Sequence, residues 1–155
     1  MPAIDSHSLY MKRALELAQA AAEQGEVPVG ALVVQDGKVL SEAWNLRETD
    51  NDPCAHAELL AIREAAKKLD SWRLLNCTVY VTLEPCAMCA GAMVLARIER
   101  CVFGAHDPRG GFLGTLDNLS SHPELNHHFD VVAGVEAESS AELLRAFFRD
   151  KRRAR

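Results

Sequence analysis

The 155-residue sequence predicts an α/β fold, a three-layer α/β/α sandwich around a central mixed five-stranded sheet. Three observations carry this expectation. Helical and β-branched stretches alternate along the chain in the order α-β-β-α-β-α-β-β-α. Asp36-Gly37 lies between two β-branched runs and marks a tight hairpin. Thr78-Val79-Tyr80-Val81-Thr82-Leu83, the clearest strand, runs at once into Pro85 and an apolar helical stretch.

The elements follow in order. Leu9, Leu15, Leu17, Ala18 and Ala21 space a helix over about 8–24, which Gly25 ends. Strands are expected over 27–34 and 39–44, paired antiparallel through Asp36-Gly37. The polar stretch 45–54 reads as a loop before a helix over about 55–69. After the strand at 78–83, Pro85 suits the first turn of a helix reaching about residue 97, because its missing N–H would be unpaired there anyway. The apolar run 87–98 in that helix predicts burial, against the sheet or against a second subunit. Short strands at 101–105 and 130–134 flank a long loop, and a last helix covers about 138–151. The middle strands are expected to be parallel. No repeat or linker divides the chain, so 1–155 reads as one domain ending in a basic helix and tail from about 138.

Composition narrows the function. Hydrophobic residues at 48% and charged residues at 25% describe an ordinary soluble protein. No apolar stretch approaches the ~20 residues of a membrane span. The N-terminus shows no leader pattern, so the cytoplasm is the expected location. Five cysteines, two of them as Cys-x-x-Cys, point to metal or redox chemistry before disulfides. The formal net charge is −5, but six basic residues and one acid from Arg145 onward give that segment +5 and leave −10 elsewhere. Screening confines each patch to roughly 10 Å, so such a tail can hold a polyanion against an acidic body. The macrodipole of a helix C-terminus accounts for two or three of these cations, less readily for six.

The chemistry resides in His56-Ala57-Glu58 and Pro85-Cys86-Ala87-Met88-Cys89. Cys86 and Cys89 stand i, i+3 at a helix start, so their sulfurs share a face, and a helix N-terminus favours thiolates. His56 belongs to the first turn of another helix. One imidazole and two thiolates make three protein ligands, the count of a catalytic zinc site with its fourth position left to water. Such a site makes hydroxide available near neutral pH. Glu58 would diverge from His56 on a continuous helix, yet at a terminus both can project past the end, where a carboxylate can shuttle protons. Hydrolysis of an amidine-like carbon fits this set. A closed structural zinc site would need a fourth ligand such as Cys54, Cys77, Cys101 or His106, and a thioredoxin-like role would leave His56 and Glu58 idle.

His-x-Glu with Pro-Cys-x-x-Cys is the signature of zinc nucleobase deaminases. Beyond it, Val27-Pro28-Val29-Gly30, Trp44-Asn45, Cys54 to Glu58, Tyr80 to Cys86, Cys89 to Met93, Val102 to Ala105 and Phe147-Phe148-Arg149 resemble the bacterial-type tRNA adenosine deaminases. The resemblance covers nearly the whole chain. It implies a cytidine-deaminase-like fold, a homodimer with one Zn2+ per subunit, and deamination of the wobble adenosine of a tRNA anticodon stem-loop to inosine. It further implies that His56, Cys86 and Cys89 bind zinc, that Glu58 moves protons for a zinc-bound hydroxide, that Asn45 touches the target nucleoside and that Asp107 lines the substrate-loop site. With the basic tail, it makes Arg109, Phe148, Arg149 and Arg152 further candidate RNA contacts; neither DNA nor a membrane is expected. The stretch 108–115 departs from the family pattern, with Arg109 where Lys is common and Phe112-Leu113 where small residues are usual.

Other residues have plainer readings. Asn45 and Asp107 also suit turns. Glu84 suits a cap on the following helix or a charge at its positive end. His127-His128 reads as a solvated loop pair, Cys54, Cys77 and Cys101 as core thiols, and Trp44 and Trp72 as packing residues. Two rivals stand beside the tRNA reading: a deaminase of a free base or nucleotide (guanine, cytosine or deoxycytidylate), and an RNA-binding protein with a structural zinc.

Overall fold

The computed structural model describes residues 4–154; Met1, Pro2 and Ala3 of the N-terminal stretch and Arg155 of the basic tail lie outside them. The chain runs α1 (Ile4–Glu23), β1 (Gly30–Gln35), β2 (Lys38–Trp44), α2 (Ala57–Leu69), β3 (Cys77–Leu83), α3 (Ala87–Ala96), β4 (Arg100–Ala105), β5 (Asp130–Val132) and α4 (Ala137–Arg153). The five strands form one mixed sheet in the order β2-β1-β3-β4-β5. β1 pairs antiparallel with β2 and β3, while β3–β4 and β4–β5 are parallel.

Period-2 alternation builds the layers. Leu32, Val34, Tyr80 and Val102 face Met11, Ala14 and Leu17 of α1. Ala31, Val33, Val79, Val81 and Phe103 face Ala61 and Ala65 of α2 and Met93 of α3. Helix α4 joins α1's side, where its buried Ser140 hydroxyl donates to the Thr82 carbonyl of β3. The hairpin closes as expected, with Gln35 opposite Lys38 and positive φ at both Asp36 (50°) and Gly37 (75°), the backbone of a type I′ turn.

Several expectations need correction. β1 begins at Gly30, not at residue 27: the Val29 N–H bonds to the Val27 carbonyl, and this curled segment becomes a pocket wall. Pro85 lies before the first turn of α3, because Cys86 is the N-cap and Ala87 the first helical residue. Helix α3 is only half buried. Cys89, Ala90, Met93 and Val94 face the core, but Leu95 is 71% exposed and Met88, Gly91 and Ala92 are partly exposed beside it. Trp72 is 56% exposed, with the Arg73 guanidinium 4.2 Å from its ring centre. The loop between β4 and β5 holds a 3-10 turn at Leu119–Ser121, and Leu113 and Phe129 anchor it in the core. His127 and His128 tie that loop down rather than standing free, through the carbonyls of Ile98 and His122.

Candidate active site

Two helix starts meet at one end of the sheet. His56 is the N-cap of α2 and Cys86 the N-cap of α3, both in extended conformation and neither using its side chain to cap. Their side chains are thereby free to point beyond the helix ends. His56 Nδ1 lies 3.6 Å from the Sγ of Cys86 and 3.6 Å from the Sγ of Cys89. All three donor atoms fall within 4.8 Å of one another, and among the described residues no fourth histidine, cysteine or carboxylate joins them. One nitrogen and two sulfurs at this spacing suit a zinc ion with an open position. Cys54, Cys77, Cys101 and His106 do not complete the set, which removes the closed structural site.

The electrostatics agree with a cation site. The hydrogen bond from Cys89 holds the Cys86 thiol down at about 4, against the opposing effect of burial, and the Cys89 thiol is correspondingly pushed up. The Cys86 sulfur in turn raises the His56 imidazole. The two sulfurs are thus held at opposite ends of the thiol range, Cys86 favouring the thiolate and Cys89 the thiol. A dication placed between them would favour thiolate at both, because thiolate is the ligand form.

Glu58 is the acid in the first turn of α2, and its side chain is buried. Burial pushes its carboxyl up to about 7. The divergence of residues two apart on a helix does not arise, since His56 stands outside the helix and Glu58 within it. His56, Glu58 and Cys86 line one wall of a cavity of 140 Å3. Val27, Val29, Asn45, Arg47, Glu84 and Asp107 are also in its lining.

Asn45 makes a turn bond and also lines the cavity. Its Oδ1 accepts from the Arg47 N–H at 3.1 Å, a turn bond, and its Nδ2 donates to the Val27 carbonyl at 3.3 Å while the side chain lines the cavity. Asp107 likewise accepts from the Arg109 N–H as a turn starter and reaches the cavity. Past Val27, Leu83 and Asp107 the cavity opens into a groove of 850 Å3 lined by Arg109, Arg145, Phe148, Arg149 and Arg152. Arg145 is spoken for by Glu138 and Glu142, at 3.1 and 2.9 Å, and Arg149 lies 3.9 Å from Asp150. Among the described residues Arg109 and Arg152 have no ion-pair partner. All six candidate substrate residues therefore line the cavity beside His56 and Cys86 or the adjoining groove along α4, which share Val27, Leu83 and Asp107.

The groove and the metal ligands point to one lineage. Residues 4–105 match the cytidine and deoxycytidylate deaminase zinc-binding region. The chain belongs to that deaminase family. Within it, the chain is 54% identical over 145 residues to a tRNA-specific adenosine deaminase of Bacillus subtilis, across 94% of this chain and 90% of the relative. A solved tRNA:A34 deaminase, studied for A-to-I editing at the wobble position of transfer RNA, superposes with a TM-score of 0.84 at 44% identity. That match covers 87% of this chain and 98% of the other. A guanine deaminase of Bacillus subtilis gives a TM-score of 0.64 at 34% identity, over 90% and 94%. The fold is the cytidine-deaminase-like sandwich of these neighbours. This deaminase is a zinc-dependent hydrolytic enzyme, and it groups with the tRNA-specific adenosine deaminases.

Sequence reasoning missed two parts of the deaminase site. Arg47 lines the cavity, and only its spacing of two from Asn45 hinted at this. Glu84 is no helix cap. Its carboxylate turns from α3 onto the loop after β4, accepting from the N–H groups of Asp107, Leu113 and Thr115. The reason is a long-range contact: the Pro85 carbonyl accepts the Phe112 N–H, so that loop lies across the start of α3.

Proposed function

We propose that this deaminase converts the wobble adenosine of a tRNA anticodon loop to inosine, acting as a homodimer with Glu58 as proton shuttle. The observation that carries the reading is that the cavity beside the metal ligands shares its Val27, Leu83 and Asp107 wall with the arginine-lined groove. A free base needs the cavity alone, whereas a nucleotide within a chain also presents phosphates to the groove. An anticodon loop presents its bases already unpaired, which avoids the cost of a few kcal/mol for extracting a paired base.

Zinc held by His56, Cys86 and Cys89 supplies Lewis acidity that makes water a usable nucleophile near neutral pH. The remaining work falls to the protein. Glu58, with a carboxyl near 7, can accept and return protons at physiological pH. It takes a proton from the attacking water and delivers one to ring N1. Once the C6–oxygen bond has formed, Glu58 takes the remaining proton from the new C6 hydroxyl and passes it to the amino group, which leaves as ammonia as the C6–nitrogen bond breaks and the C6 carbonyl forms. Asn45 and Asp107 orient the nucleoside from the cavity walls, and Arg109, Arg149 and Arg152 take the flanking phosphates, with Phe148 offering a stacking face. The half-exposed apolar stripe of α3 supports the homodimer, since it would otherwise leave Leu95 in water.

Incubation of the zinc-loaded enzyme with an anticodon stem-loop bearing a wobble adenosine, beside free adenosine, guanine and cytidine, tests this. Inosine formed in the stem-loop alone is the expected result. Turnover of guanine alone would overturn the substrate and the groove's role, leaving the metal ligands in place.

A further inference from the structure

Two buried carboxylates take no part in the proton transfers, one under each loop that bounds the cavity, and Glu84 also reaches the cavity wall. Glu26 is fully buried and Glu84 is 2% exposed. Glu26 accepts from the Glu48 N–H at 3.1 Å, the Thr49 N–H at 2.6 Å and the Thr49 hydroxyl at 2.5 Å. Those donors belong to the loop between β2 and α2, which carries Asn45 and Arg47 into the cavity. Glu84 accepts from the N–H groups of Asp107, Leu113 and Thr115 at 3.1, 3.0 and 3.1 Å, and from the Thr115 hydroxyl, with His106 Nδ1 at 3.3 Å. Those donors belong to the loop after β4, which carries Asp107 and Arg109.

We propose that Glu26 and Glu84 are positioning residues that hold the two substrate loops in their binding-competent form. The inference rests on the proposed function, whose nucleotide these loops would grip. Neither loop has a regular ladder to satisfy its backbone at these points, so the N–H groups need another acceptor. An ionised carboxylate is the strongest one a side chain can offer, and it gathers several donors at once. The fit on the second loop is close enough to dictate sequence. A Cβ on Gly111 would stand 2.3 Å from Oε1 of Glu84, so only glycine lets the backbone lie on that carboxylate. Releasing either loop lowers the fraction of enzyme ready to bind. The apparent affinity then falls by that fraction, while enzyme that has bound still turns over normally. The signature of positioning is a rise in KM with kcat spared.

Glu26→Gln and Glu84→Gln keep side-chain size but remove charge and one acceptor. With the zinc-loaded enzyme and the anticodon stem-loop, each is expected to raise KM about tenfold, the loss of readiness to one part in ten, with kcat within about twofold. Hydrogen exchange gives a readout independent of activity. Glu84→Gln should lose amide protection at Asp107, Leu113 and Thr115 but not at Glu48 and Thr49, and Glu26→Gln the reverse. Thr115→Val, at an exposed position, should shift KM in the same direction by a smaller factor and keep the fold intact. Gln variants with wild-type KM overturn the proposal, as do variants whose loop amides stay protected. Loss of protection throughout β3 together with unchanged KM in Thr115→Val also overturns it, by making the carboxylates general supports of the fold. If the wild-type enzyme turns over guanine and not the stem-loop, the function fails separately, and the same KM shift is then read on guanine.

Discussion

His56 and Cys86, thirty positions apart in the chain, bring Nδ1 and Sγ within 3.6 Å because each is the N-cap of its own helix. β2 and β3 both run antiparallel to β1 and end beside its start, so the helices that follow them, α2 and α3, begin at the same end of the sheet. The metal-binding set is thus a property of two helix ends rather than of either helix, and Glu58 is set into the first turn behind them.

Removing a ligand and removing the proton shuttle should have different consequences. Cys86→Ala is expected to lose both bound zinc, measured by metal analysis, and turnover. Glu58→Gln should retain zinc and the thermal transition while turnover falls roughly a hundredfold or more, the scale of general acid–base catalysis. Full activity of Glu58→Gln would overturn the mechanism.

The groove should act through phosphates. Arg152→Glu, or truncation before Arg149, is expected to raise KM for the stem-loop and to flatten its dependence on salt, by a slope of about one for each phosphate no longer bound. Deamination of the stem-loop at unchanged KM in salt of about 50 and about 200 mM would remove α4 from substrate binding.

Glu26 should make stability depend on acid. Burial alone would raise its carboxyl, but the Thr49 and Glu48 donors, with Arg47 nearby, outweigh this and hold it below the ordinary 4.5. The unfolded chain therefore binds a proton that the folded chain does not, so stability rises with pH across that window and is lost as pH falls through the depressed value. In urea melts, wild type should lose its advantage over Glu26→Gln as pH drops below 4.5. Parallel curves for the two proteins would argue that the carboxylate stays paired or protonated alike in both states.

The α3 stripe should report on assembly. Leu95→Glu puts a charge on a residue that is 71% exposed in the single chain, so it should fold normally. In sedimentation it is expected to run as a monomer where wild type runs as a dimer. A dimer surviving the substitution would place the interface elsewhere.

Local chemistry was legible in the sequence because its causes are local. Asp36-Gly37 specifies a turn through the positive φ it tolerates, and the period-2 run at 78–83 specifies a strand buried on both faces. The i, i+3 spacing of Cys86 and Cys89 puts two sulfurs together whatever the rest of the chain does. The residue types suited a three-ligand zinc site and hydrolysis of an amidine-like carbon, and the family resemblance supplied the deamination of adenosine. Boundaries failed where long-range bonds competed with propensity, as at Val27–Val29, which reads as strand but bends to serve the cavity.

What only the tertiary structure decided is which distant segments meet. Glu84 looked like a helix cap because sequence shows its neighbours along the chain, while its donors stand 23 to 31 positions away. The exposure of Trp72 and of half of α3 likewise follows from which face the sheet covers, a matter of strand order. Spacing encodes contacts within one turn of helix or one hairpin. Contacts across loops depend on how the whole core packs, and there the sequence names the participants without placing them.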